Sequence, residues 1–188
     1  GADDAPVQWT MPDQPRRTIL TVRAVEQLLE SHPEHPDLLR QSILYRTGTT
    51  PTLDALTIEQ LETYVRLRSA DPWGHRLLAD HWLAVEPARA VEHLETLAVL
   101  ADDEPDLWME LAKLHRGLGR SDAALDAALR ACTIEPYEPV HRERAAALAI
   151  EVGAIEAARH QIEALLLLEP DQPTHRRRLQ AIEAMLER

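Results

Sequence analysis

Apolar residues recur along most of the chain at three- and four-residue steps, the period of a helix that turns one face inward. The recurrence is itself repeated. The stretch GLGRSDAALDAALRACTIEP, residues 117–136, matches EVGAIEAARHQIEALLLLEP, residues 151–170, in phase, with a glycine, an alanine five positions on and a closing Glu-Pro in each. Extending the same offset lines up Leu77, Leu111, Ala145 and Leu179 in one column, Ala90, Ala124 and Ala158 in a second, and Leu100, Ile134 and Leu168 in a third. Pro105, Pro139 and Pro173 mark a recurring helix start. Each unit therefore reads as a helix A, a tight turn near Gly119 or Gly153, a helix B, and a second turn after Glu-Pro. A lone hairpin of this kind cannot cover its apolar face, so the units must stack.

Ahead of the regular part the pattern is looser. Residues 1–15, GADDAPVQWTMPDQP, hold three prolines and three aspartates without a helical period and are expected to form an extended arm, with Trp9 packed on the first helix. From Arg16 the steps Ile19, Val22 and Leu29 predict a helix that breaks at SHPEHP. A second is predicted over 37–46. A third is expected to open on a capping box, Thr57 with Gln60, and to run to about Ser69. Further on, turns are expected near 85–87, 118–121 and 152–154.

Composition agrees with helices. Of 188 residues 45% are hydrophobic but only 4% aromatic, with no Phe, so Leu and Ala must fill the core. The net charge of −12 argues against nucleic acid as a partner, since that needs clustered Lys and Arg. The longest apolar run, ALLLL at 164–168, is far short of a membrane span, so no membrane insertion is expected and the chain reads as soluble. A single Cys132 leaves the compartment open between cytoplasm and periplasm or export. The start at Gly1, followed by ADDAP, suits either a chain processed after export or a domain cut from a longer polypeptide.

These columns resemble the tetratricopeptide repeat (TPR). The unit from Pro105 carries the signature most fully, in Trp108, Leu111, Ala112, Gly119, Ala124, Ala128, Ala131 and Pro136; the next keeps Ala145, Ala146, Gly153, Ala158 and Pro170 but has Arg142 in place of Trp. The unit from Asp71 keeps Leu77, Ala90 and Leu97, with Val85 instead of the turn glycine. The resemblance implies an all-α fold, a right-handed α-solenoid of about ten helices in antiparallel pairs. Within it, 16–70 would be divergent repeats, 71–170 three TPR-like repeats, and 171–188 a capping helix.

Catalytic chemistry is not legible. There is no phosphate-binding glycine loop, no G-x-S-x-G and no H-E-x-x-H, and Cys132 has no neighbouring His in sequence, so no enzyme and no cofactor are expected. His81 and His115, like His141 and His175, stand one repeat apart, which marks them as repeat positions rather than ligands converging on one metal ion. Asp102, Asp103, Glu104 and Asp106 precede a helix, where negative charge suits the dipole, and lack the spacing of a calcium loop.

In proteins of the family, partners lie in the concave groove formed by the A helices. Carried over unit by unit, the lining would be His75, Arg76, Ala79, Trp82 and Leu83; Asp106, Met109, Glu110, Lys113 and Arg116; Val140, Glu143, Arg144, Ala147, Ile150 and Glu151; and Thr174, Arg177, Arg178, Ala181 and Met185. Six of these are Lys or Arg and four are Asp or Glu, a slightly positive groove on an acidic chain. Family members that clamp a C-terminal dicarboxylate do so with Lys and Asn; the corresponding positions here are His75, Ala79, Glu110, Val140 and Arg144, of which Arg144 alone suits that role. The expected function is a non-catalytic protein-interaction module for a peptide or protein segment with acidic groups. The alternative is an accessory domain of a larger enzyme or secretion assembly that packs on its own polypeptide.

Overall fold

The computed structural model describes residues 21–49 and 53–187. Every element among them is a helix: α1 Val22–Ser31, α2 Pro36–Thr49, α3 Ala55–Leu67, α4 Pro72–Val85, α5 Pro87–Leu100, α6 Pro105–Gly117, α7 Ser121–Ile134, α8 Pro139–Glu151, α9 Ile155–Leu168 and α10 Pro173–Leu186. The arm at 1–15, Trp9 and the first residues of the expected opening helix lie outside the described residues. None of the described helices is long and apolar enough to cross a membrane. The chain divides into two compact units, Gly1–His81 and Trp82–Arg188, with the division inside α4.

In the first unit Val25, Leu29, Leu39, Ile43, Leu61, Tyr64 and Leu78 are buried. Helix α3 begins before Thr57, because Asp54 rather than Thr57 is the cap: its Oδ1 accepts from the Thr57 amide at 2.8 Å and from the Thr57 hydroxyl at 2.6 Å. At the far end of α3 the Tyr64 hydroxyl donates to Asp71, whose other oxygen accepts from the Trp73 amide at 3.0 Å. Burial pushes the Asp71 carboxyl up, but these bonds and the Arg40 charge outweigh it and hold the group below its ordinary value.

The second unit holds the regular repeats. Gly119 and Gly153 turn the chain from helix A to helix B with φ of 72° and 77°, a conformation in which a Cβ is strained. At these turns the Arg120 amide reaches the His115 carbonyl at 2.9 Å and the Ala154 amide reaches the Ala149 carbonyl at 2.8 Å, so the ends of α6 and α8 are satisfied. Ala90, Ala124 and Ala158 are fully buried, one on each B helix. A side chain as small as alanine lets neighbouring axes approach closely there.

Among the A-helix starts, the step from Pro72 to Pro105 is one position shorter than the steps from Pro105 to Pro139 and from Pro139 to Pro173, while the alanine column keeps a constant interval. The turn between α4 and α5 is the single residue Glu86, where the later turns have three. Leu78, not Leu77, is therefore the α4 counterpart of Leu111 and Ala145, and it is Leu78 that is fully buried.

The last two turns from B to A share a second device. The octapeptides EPYEPVHR, 135–142, and EPDQPTHR, 169–176, have one pattern. The buried His141 Nε2 lies 3.2 Å from Glu135 Oε2, and His175 Nε2 lies 2.8 Å from Glu169 Oε2. The following arginines donate back to proline carbonyls, Arg142 to Pro136 at 2.7 Å and Arg176 to Pro170 at 3.2 Å. Nδ1 of both histidines is buried without a protein partner, so Nε2 is the ring nitrogen that donates, to the carboxylate. Each of these two turns is thus clasped twice, which is what His141 and His175 accomplish. A hydrogen bond to a charged group contributes about 1.5 to 3 kcal/mol. His175→Ala is expected to lose about that much stability by denaturant titration, and His160→Ala, on the exposed side of α9, to lose almost none.

Candidate functional site

In the second unit α6, α8 and α10 are the A helices, and two ion pairs identify the face they share. Arg116 of α6 meets Glu151 at the end of α8 at 2.9 Å, and Arg178 of α10 meets Glu143 of α8 at 3.7 Å. Lys113 of α6, Arg144 of α8 and Arg177 of α10 are exposed and make no ion pair among the described residues. On α8 and α10 Val140, Ile150 and Met185 are exposed apolar side chains, and the small Ala147 and Ala181 are exposed as well.

At its α6 end the face runs into an apolar notch of about 350 Å³, lined by Leu83, Pro87, Glu110, Lys113, Leu114, Gly117 and Leu118. Leu83 lies in the last turn of α4, Pro87 opens α5, and the rest come from the last turns of α6 and the residue after it. Glu110 is engaged in another contact. The Lys113 ammonium is thus the ion-pair-free charge on an apolar rim, suited to a segment that offers an apolar side chain and a carboxylate near it.

The structure divides the expected lining. Lys113, Arg116, Arg144, Ile150, Arg177 and Arg178 are exposed on the second unit's A helices, with Arg116 and Arg178 held by the two ion pairs. Met109 is 4% exposed, so the apolar lining beside Lys113 comes from Leu114 of α6 and Leu118 just after it instead. On α4 the shorter turn rotates the assignment by one residue: His75, Ala79 and Trp82 belong to the core. His75 Nε2 lies 3.1 Å from the Ser69 carbonyl, and Arg89 stacks its guanidinium 3.5 Å over the Trp82 ring. Arg76 is exposed and pairs with Asp80 at 3.0 Å on its own helix. The notch escapes sequence reading because its wall depends on that one-residue turn; the missing glycine at 85–87 is the available signal.

Among the described residues no three His, Cys, Asp or Glu side chains converge as metal ligands. Cys132 is buried in α7, and burial raises its thiol pKa, which disfavours the reactive thiolate.

The helical array has counterparts among solved structures. MamA superposes with a TM-score of 0.55 at 19% identity, covering 79% of this chain and 81% of MamA. YrrB, described as a TPR protein with an unusual peptide-binding site, superposes with a TM-score of 0.55 at 15% identity, covering 89% of this chain and 86% of YrrB. No protein-family model and no curated protein matches the sequence. At these identities the likeness establishes the fold, an all-α helical-repeat array of the TPR kind.

Proposed function

We propose that this chain, an array of TPR-type helical hairpins, is a non-catalytic protein-interaction module that holds a partner segment on the face formed by α6, α8 and α10. The observation that carries the reading is Lys113, a cation without an ion pair among the described residues, on the rim of an apolar notch in a chain of net charge −12. An acidic protein that keeps Lys113, Arg144 and Arg177 uncommitted on one face has a local field opposite to its overall one, and complementary charge steers and selects partners more than it adds raw affinity. The partner this favours is a segment that seats an aliphatic side chain in the notch and lays carboxylates toward Lys113 and Arg144. That YrrB is described with a peptide-binding site accords with a peptide partner here.

The test is a selection from a random peptide library against the folded chain, followed by amide chemical-shift mapping of the tightest binder. Enrichment of acidic residues next to Leu, Ile or Met, with shifts concentrated on α6, α8 and the notch, is the expected result. Shifts concentrated on the outward sides of α7 and α9 would refute the assignment.

A further inference from the structure

A second face of the same unit carries the opposite charge. In the second unit the three most exposed large apolar side chains among the described residues are Leu167 at 85%, Tyr137 at 81% and Val99 at 73%. All three lie on one edge, where α5, α7 and α9 end and the chain turns into the next A helix. Val99 and Leu167 occupy the same register, each next to last in its B helix. At that position α7 has Thr133, and Tyr137 stands in the turn just beyond it. Single exposed apolar residues are ordinary on a protein surface; a row on one edge, repeated in register, marks an interaction surface.

The charges along this edge are one-sided. Residues 101–104, 135–138 and 169–172 contain seven carboxylates and no Lys or Arg. The turns at the other edge, Glu86, 118–120 and 152–154, contain one Glu and one Arg. The basic groups in the first turns of α8 and α10 are already committed: His141 and His175 to Glu135 and Glu169, Arg142 and Arg176 to proline carbonyls. Arg130, one turn before the end of α7, leans over Trp108 with its guanidinium 5.9 Å from the ring centre. Glu138 caps α8 through the Val140 amide. Asp102, Asp103, Glu104 and Asp171 make no ion pair among the described residues. Along the chain they alternate with the apolar row.

We propose that this edge is a second docking surface, independent of the A-helix face, for a cationic segment of a protein partner in which Lys or Arg alternate with large apolar side chains. The apolar row supplies the anchor that discriminates such a segment from any polycation, and the turns supply the attraction. Anionic lipid surfaces and nucleic acids are repelled by the same carboxylates.

The experiment uses three labelled probes, a Leu/Lys peptide, an oligolysine of equal charge and a Leu/Glu peptide, titrated by fluorescence polarisation at a salt concentration where the screening length is about 8 Å. The Leu/Lys peptide is expected to bind at least about tenfold more tightly than oligolysine, a difference of about 1.4 kcal/mol, and the Leu/Glu peptide not to bind this edge. Tyr137→Ser with Leu167→Ser is expected to erase the tenfold excess; both side chains are exposed, so the melt should stay at the parent value. Lys113→Glu with Arg144→Glu is expected to leave the excess intact, so a failure of the A-helix reading and a failure of this one give different results. Equal binding of Leu/Lys peptide and oligolysine, or an excess that survives the serine substitutions, would overturn the proposal.

Discussion

Lys113→Glu combined with Arg144→Glu is expected to weaken capture of an acidic, aliphatic-anchored peptide by at least about tenfold, and Arg130→Glu to change it little. The two groove cations lie on successive A helices, exposed and without ion pairs among the described residues, and Lys113 borders the apolar notch. A peptide side chain filling that notch excludes water beside the ammonium. Truncating one partner of a contact desolvated in this way typically costs about 2 to 5 kcal/mol. A tenfold loss needs about 1.4 kcal/mol, so the lower bound is conservative even where one of the two contacts stays wet. Arg130 is on a B helix and leans over the Trp108 ring, 5.9 Å from its centre. Its reversal shifts the net charge by the same amount per residue but acts only through a screened field, which alters mainly the association rate. Repeating the titration at higher salt separates the two effects: the Arg130→Glu difference is expected to vanish and the groove difference to persist. Equal loss in both variants at every salt concentration, with helicity unchanged, would remove the A-helix face as the site.

What can be read without coordinates follows from where the repeat is intact. Ala90, Ala124 and Ala158 are legible because the distance from each B helix into the next repeat is constant, and all three are fully buried. Pro105, Pro139 and Pro173 are legible as helix starts because proline suits the first turn, and each opens a helix. The face of α4 is not legible, since the shortened turn shifts the A helix against a B column that stays in phase, and a one-residue shift moves a side chain by about 100° around the helix axis. That rotation carries His75, Ala79 and Trp82 into the core. The start of α3 is ambiguous for a local reason: Asp54 and Thr57 are both competent caps, and the hydroxyl of Thr57 is itself bound by Asp54. The cations of the A helices are visible as residue types, but their pairing is not. That Arg116 is held by Glu151, one repeat further along the chain, depends on how α8 packs beside α6. The Glu-Pro clasps are an intermediate case. Their recurrence from one repeat to the next is plain in the sequence, and the histidine's partner lies a short way upstream in the same motif.

Ala158→Trp is expected to destabilise the chain by roughly 1 to 3 kcal/mol or more, the usual cost of forcing extra volume into a packed core. Ala158 is fully buried on α9, and α9 packs against both α8 and α10. An indole there has no exposed side on which to escape, so one or both neighbours must move away. The loss is not confined to that contact, because each hairpin in a repeat array is stabilised chiefly by the ones beside it. Displacing α10 would also pull His175 from Glu169 and open the clasp that ties the final turn. For a chain of this size each kcal/mol lowers the melting temperature by about 2 to 4 °C, which puts the expected fall at about 2 to 12 °C. Ala147→Trp is the matched control: the same substitution on the adjacent helix, at an exposed position on the A-helix face. It adds the same ring without displacing a helix, so its melt is expected to stay within about 0.5 kcal/mol of the parent. Should both variants melt together at the parental temperature, Ala158 does not sit at a close helix contact, and the packing account of the alanine column fails with it.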